Sequence, residues 1–185
     1  MKPRKSEKPK LDFEGLKNYA YRTLTARPLS TNELRAKLKA KAADPADIER
    51  IVSGLQEYNA LNDEQFAQHF GTMRKENRGF GAGRVLRDLR LRQVAAPLAE
   101  KTVAQIYQGQ DERELILSYL ARKYRGKDMK QYLADPKNLN SAFRRLRMAG
   151  FSAGKSIDVL KNYSSIAAEI PDEEDDEATD VQTDS

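Results

Sequence analysis

Leu61-Asn62-Asp63-Glu64-Gln65-Phe66-Ala67-Gln68-His69-Phe70 is followed by Arg74, by Asn77-Arg78-Gly79-Phe80-Gly81, and by Leu86 and Leu89. Asn62 or Asp63 offers a side-chain oxygen to the unpaired amides that open a helix. Phe66, Phe70 and Met73 then recur at i, i+4 and i+7, the spacing of one helical face. A basic turn punctuated by Gly79, Gly81 and Gly83 leads into a second helix loaded with arginine. Nothing in this stretch alternates with period two, so it reads as helix, turn and helix.

The same chemistry extends outward. Ser30-Thr31-Asn32-Glu33 is a capping box, in which the Ser oxygen takes an amide and the Glu reaches back to the cap. Asp44-Pro45 sets a cap residue before a proline whose missing N–H costs nothing at the first helical position. Asp111 caps a later helix, and Gly150-Phe151 closes one with a left-handed glycine. These signals predict helices over 12–26, 31–42 and 45–58, over 63–77, 82–93 and 95–107, and over 111–124, 138–149 and 152–163. Their apolar stripes are Leu34 and Leu38; Ile48, Ile51, Val52 and Leu55; Phe66, Phe70 and Met73; Leu86 and Leu89; Leu115, Ile116, Tyr119 and Leu120; Phe143 and Leu146; Ile157 and Leu160. Residues 126–135 are an insertion in the third trio.

Leu38 and Ala43, Leu89 and Val94, and Leu146 and Phe151 share one five-residue offset. Each pair spans the end of a middle helix and the turn after it, so the trios are tandem repeats. A unit of about 45 residues buries little alone, and neighbours must lean on one another. The expected fold is all-α: tandem three-helix repeats forming an elongated, curved chain. Its parts are a disordered basic arm over 1–11, repeats over 12–60, 61–108 and 109–165, and a disordered acidic tail over 166–185.

Charge bounds the function. The 185 residues carry 33 Lys and Arg against 28 Asp and Glu, a net +5. Residues 172–185 hold eight of the acids and no base, so the body has 33 basic against 20 acidic residues, or +13. A body that basic implies a polyanionic partner. There is no cysteine, which excludes disulfides, thiolate metal sites and a Cys nucleophile. No apolar run reaches the ~18 residues of a membrane span. Met1-Lys2-Pro3-Arg4-Lys5 lacks the apolar stretch of a secretory signal. A cytoplasmic protein is the expectation.

The order of residues 61–89 resembles the signature of the RecX family, the bacterial regulators of the RecA recombinase. The likeness runs over about 12–163 and is most specific in 61–89. Where the family pairs two Asp after the Leu, this chain has Asn62-Asp63, which keeps a cap. The glycine that ends each middle helix stands here as Gly150, with Ala42 or Ala43 and Gln93 in the other two, so those turns should close differently. The resemblance implies three-helix repeats, no enzymatic activity, and binding to the RecA–DNA filament that limits RecA. It implies possible contact with single- or double-stranded DNA as well. A monomer without cofactor or metal is expected.

Three basic clusters are the candidate contacts. Arg74, Lys75, Arg78, Arg84, Arg87, Arg90 and Arg92 flank the glycine turn. Arg84 and Arg87 should lie on an exposed flank opposite Leu86 and Leu89. Arg122, Lys123, Arg125, Lys127 and Lys130 form the second cluster, and Arg144, Arg145 and Arg147 the third. The guanidinium fork fits phosphate or carboxylate with two parallel hydrogen bonds. The bland reading of each is a solvated helix face.

Other motifs resolve blandly. Ala149-Gly150-Phe151-Ser152-Ala153-Gly154-Lys155-Ser156 imitates a phosphate loop, but a basic amphipathic helix precedes it where a buried strand is required. An ATPase working through 149–156 is therefore a remote rival. Gly79-Phe80-Gly81-Ala82-Gly83 follows no strand and reads as a turn where backbone approaches backbone. His69 is alone and has no partner for catalysis or metal. Tyr19, Tyr21, Tyr119, Tyr124 and Tyr132 read as core edges more readily than as base-stacking platforms. No carboxylate pair suits general acid–base work. The nearer rival to a RecA regulator is a stand-alone helical nucleic-acid-binding protein.

Overall fold

The computed structural model describes residues 9–170. Ten α-helices appear among them: α1 (Phe13–Ala26), α2 (Thr31–Lys39), α3 (Ala46–Glu57), α4 (Asp63–Arg78), α5 (Ala82–Leu91), α6 (Ala96–Tyr107), α7 (Glu112–Lys123), α8 (Met129–Leu133), α9 (Pro136–Met148) and α10 (Ala153–Lys161). A 3-10 turn over Ser165–Glu169 follows. No strand forms among the described residues, only one isolated parallel bridge between Leu11 and Ala42. The fold is all-α, with helices in threes, and the insertion at 126–135 contributes the short α8.

Capping chemistry sets the helix starts. Ser30 Oγ accepts from Glu33 N–H while the Glu33 carboxylate accepts from Ser30 N–H, closing the box at α2. Asp12, Asp111, Asp128 and Asp135 cap α1, α7, α8 and α9. Asp44 accepts from Ala46 N–H beside Pro45. At α4 the two candidates divide the work. Asn62 accepts from Gln65 N–H, and the Asp63 carboxylate accepts from Thr31 N–H at 2.7 Å.

The repeated five-residue offset has a backbone cause. Val94 N–H donates to Leu89 C=O and Phe151 N–H to Leu146 C=O, the closing bond of a Schellman turn. That turn needs a left-handed residue. Gly150 supplies it at φ +90°, and Gln93 adopts it without being glycine, at φ +56°. The first repeat departs from the pattern: Ala43 N–H donates to Leu11 C=O instead, so an incoming strand-like segment replaces the turn.

The chain divides into two compact units, and the division runs through α4, α5 and α6. The first takes in the described residues up to Gly71 together with Asp88–Thr102. Its core packs Leu16 and Ala20 of α1, Leu34 and Leu38 of α2, Ile48, Ile51, Val52 and Leu55 of α3, and Leu61. The second takes in Thr72–Arg87 and the described residues from Val103. Its core joins Ile116 and Leu120 of α7, Leu133 of α8, Leu139 and Leu146 of α9, Phe151, and Ile157 and Leu160 of α10.

Some expectations shift. Met73 is exposed, while on the same stripe Phe66 is buried and Phe70 half-buried. Val85 and Leu89 face inward on α5, and Leu86 is half-buried. Residues 9–11 and 166–170 do not belong to an arm and a tail. Leu11 bonds to Lys41 and Ala43, and Ala167 and Ile170 are buried in the second core. The rest of the expected arm, 1–8, and of the expected tail, 171–185, lies outside the described residues.

Candidate basic groove

Several predicted cations are committed to holding the fold. In the first unit Arg92 donates through Nε to Glu33 at 2.9 Å and through Nη2 to Pro28 C=O at 2.8 Å. Its guanidinium also lies over Phe66 and Phe70, 4.9 and 5.1 Å from the ring centroids. Those rings stack on each other at 5.7 Å, so the predicted aromatic stripe is a seat for Arg92. Burial alone would raise the Glu33 pKa, but bonds from Arg92, Ser30 N–H and Arg27 outweigh it and hold the carboxyl below its ordinary value. Arg90 pairs with Glu100 at 3.0 Å.

In the second unit Lys75 donates to Ile106 C=O at 3.0 Å and lies over the Tyr107 ring. Arg122 donates to the Glu76 and Asn77 carbonyls, where it satisfies the C-terminus of α4. Arg147 donates to Phe151 C=O at 2.7 Å. Arg74 is half-buried. Arg78, Lys123, Arg125 and Lys127 are exposed, with Lys127 3.7 Å from the Tyr132 ring centroid.

The glycine turn is a backbone joint. Gly81 N–H donates to Ala149 C=O at 2.8 Å, and Gly83 N–H to Gly150 C=O at 3.1 Å. A Cβ on Gly81 would stand 2.6 Å from the Gly150 oxygen, so the approach requires glycine. Tyr107 Oη donates to Phe80 C=O at 2.6 Å and holds the turn from the other side. The segment that imitates a phosphate loop is occupied by protein. Ser152 N–H and Oγ both donate to the Glu112 carboxylate at 2.7 Å, so an anion already sits at the start of α10.

This joint brings two of the three sequence clusters together. Arg84 of α5 and Arg144 and Arg145 of α9 line one groove of about 570 Å³. Phe80, Tyr119 and Ala149 contribute its apolar surface, with exposed Met148 beside them. Lys137, Asn140 and Ser141 complete the polar side. Arg84 lies over the Phe80 ring at 5.2 Å, and both Arg84 and Arg87 donate to Met148 C=O, at 3.4 and 3.3 Å. Arg84 is thus half-buried against α9, unlike the free flank expected of it. Burial raises the Tyr119 phenol pKa while the positive field of Arg145 opposes it. None of the groove-lining residues is acidic.

Sequence reasoning missed Lys137, Asn140 and Ser141, although a signal was there. With Arg144 and Met148 they fall at i, i+3, i+4, i+7 and i+11, one face of α9 opposite Leu139, Ala142 and Leu146. Phe80 could not be read as a groove residue, because only the Gly81–Ala149 joint puts it there. His69 is exposed, and no cluster of three or more His, Cys, Asp or Glu able to hold a metal occurs among the described residues. None of the described helices is long and apolar enough to cross a membrane.

Comparison with known proteins agrees with this architecture. Residues 17–55 match the model of the first three-helix domain of RecX. The regulatory protein RecX of Deinococcus radiodurans is 31% identical over 150 residues, 81% of this chain and 69% of that protein. That of Mannheimia succiniciproducens is 30% identical over 146 residues, 78% of this chain and 92% of its own length. The crystal structure of RecX from Lactobacillus salivarius superposes with a TM-score of 0.64 at 17% identity, over 82% of this chain and 96% of that one, a likeness of fold. With its capping pattern, its helices in threes and these relatives, the chain belongs to the RecX family of regulatory proteins.

Proposed function

We propose that this chain is a non-enzymatic, cytoplasmic regulator of recombination and DNA repair that binds the RecA–DNA filament as a monomer and inhibits RecA. The observation that carries this reading is the groove in the second unit, where Arg84, Lys137, Arg144 and Arg145 converge without an acidic residue among the lining. Membership of the RecX family supports a RecA filament as the partner, and the groove offers a contact chemistry suited to it. A filament is a polyanion through its DNA and presents acidic side chains through its protein. Guanidinium and ammonium groups suit either anion.

The mechanism follows from where the cations are held. Arg84 is held against Met148 C=O and the Phe80 ring, and Arg145 lies over the Tyr124 ring, so they meet an anion with little ordering left to do. Lys137 and Arg144 stand exposed on α9 and add charge that steers the encounter. Arg78, Arg87, Lys123, Arg125 and Lys127 extend the positive surface, Lys75, Arg92, Arg122 and Arg147 serve chiefly the fold, and Arg90 is paired with Glu100 in an exposed ion pair.

Co-sedimentation with RecA filaments, with and without DNA, tests the reading, together with RecA ATPase and strand exchange. The expected result is binding to filaments and inhibition at equimolar or lower ratio. Lys137→Gln with Arg144→Gln should weaken both. Binding to bare DNA with no effect on RecA at any ratio would establish the rival reading, a stand-alone nucleic-acid-binding protein.

A further inference from the structure

The groove is built for anions, and its aromatic rings are poorly placed for bases. One face of Phe80 is covered by Arg84, and Tyr119 is set at 69° against buried Phe151. Stacking of successive bases needs open ring faces. What the groove offers is charge on a short apolar floor. Among the described residues no ion pair engages the side chains of Lys137, Arg144 or Arg145. Closely spaced carboxylates match that surface better than stacked nucleotides.

The chain itself carries such a ligand. Eight carboxylates and no cation occupy residues 172–185, beginning two residues after Ile170. Ile170 is buried in the same apolar cluster against which Phe80 and Tyr119 pack. The acidic stretch is therefore tethered to the unit that holds the groove. Its carboxylates lie 2 to 14 residues beyond that anchor. At about 3.3–3.6 Å per residue the span reaches up to about 50 Å. A compact unit of about 100 residues has a radius of gyration near 13 Å, so none of its faces is out of range. A short tether holds its ligand at roughly millimolar effective concentration.

We propose that the groove of Arg84, Lys137, Arg144 and Arg145 is a binding site for carboxylate-rich peptide, and that its resident occupant is the chain's own segment 172–185. Carboxylates from this segment meet the guanidinium forks and compete with any external anion. The site is thereby screened against weak, non-specific polyanions and opened only by a partner that binds it more tightly. This proposal stands on the charge and geometry of the groove and requires no recombinase.

The test uses a fluorescent peptide of residues 171–185 and two full-length proteins, the wild type and a variant with all eight tail carboxylates replaced by their amides. Anisotropy at low salt should show the peptide binding the amide variant about 10-fold more tightly. That factor is a millimolar effective concentration set against a Kd of about 100 µM. Adding Lys137→Gln and Arg144→Gln to the amide variant should remove most of that affinity, and raising the salt should do the same. Both side chains are exposed, and circular dichroism verifies the fold. Equal peptide binding to wild type and amide variant overturns the proposal, as does affinity indifferent to Lys137 and Arg144. A single-stranded oligonucleotide forms the second arm. If it binds through Lys137 and Arg144 and the peptide fails to displace it, the groove is a nucleic-acid site and the proposal is wrong.

Discussion

Gly150→Ala is the most revealing single change in the second unit. Two separate penalties meet at this position. The backbone stands at φ +90°, a conformation that costs an L-residue about 1–2 kcal/mol. A Cβ there would also overlap the Arg84 backbone nitrogen and come within 2.6 Å of the Arg84 Cβ. The nearest atoms belong to backbone held by the Gly83–Gly150 bond, so they cannot swing aside. Forcing such an overlap costs a further 1–3 kcal/mol or so. The gain from a stiffer unfolded chain is only about 0.4–1 kcal/mol. The net loss is about 3 kcal/mol, which for a unit of this size lowers Tm by roughly 12–24 °C. Gly109→Ala is the control. Its φ is +69°, and a Cβ would meet nothing within 4 Å, so it carries only the conformational cost less the unfolded-chain gain, about 1 kcal/mol net. Thermal melts by circular dichroism, with urea midpoints alongside, measure both. If Gly150→Ala melts within about 3 °C of Gly109→Ala, the backbone joint is not tight and glycine is not required there.

Arg92→Ala should destabilise the first unit by about 2 kcal/mol, since it removes a half-buried ion pair, a bond to Pro28 C=O and contacts with two ring faces; a urea midpoint unchanged from wild type would contradict this. Glu33 sets a pH dependence with a definite sign. Its folded pKa lies below its unfolded value, so its contribution is present above the unfolded value and is lost as pH falls through the folded one. Glu33→Gln should therefore lower stability at neutral pH and flatten the acid limb below about pH 4.5, as followed by urea melts across pH. Arg84→Ala with Arg87→Ala should cost about 1 kcal/mol, since it removes two long bonds to Met148 C=O, at 3.4 and 3.3 Å, and the contact of Arg84 with the Phe80 ring. The same pair should weaken filament binding and flatten its salt dependence, and an unchanged slope would show that neither arginine meets an anion of the filament.

Local chemistry was legible because it acts over four or five residues. Ser30 and Glu33 close the box that their spacing announces, and Asp111 caps the helix it precedes. The decoys at 79–83 and 149–156 were also readable, since neither follows a strand. The roles of the arginines were not readable. Arg92 and Arg84 stand in one cluster eight residues apart, yet one is locked to Glu33 and two phenylalanines while the other lines a groove. No feature of the sequence around them separates those fates, because the partners lie 59 and 64 residues away.

What the sequence by itself determined was the helical period, the caps, the five-residue offset that becomes a Schellman bond, and the separation of a basic body from an acidic end. Each is written in near neighbours, where spacing along the chain is spacing in space. What only the tertiary structure decided was which cations remain available. The carbonyls of Ile106, Glu76 and Asn77 claim Lys75 and Arg122, whereas Arg84 and Arg87 reach Met148 C=O only through long bonds. The Gly81–Ala149 bond carries Phe80 and Arg84 to the face of α9 where Lys137 and Arg144 wait. A groove of this kind depends on two backbones meeting closely enough that only glycine fits, and that distance is a property of the folded chain.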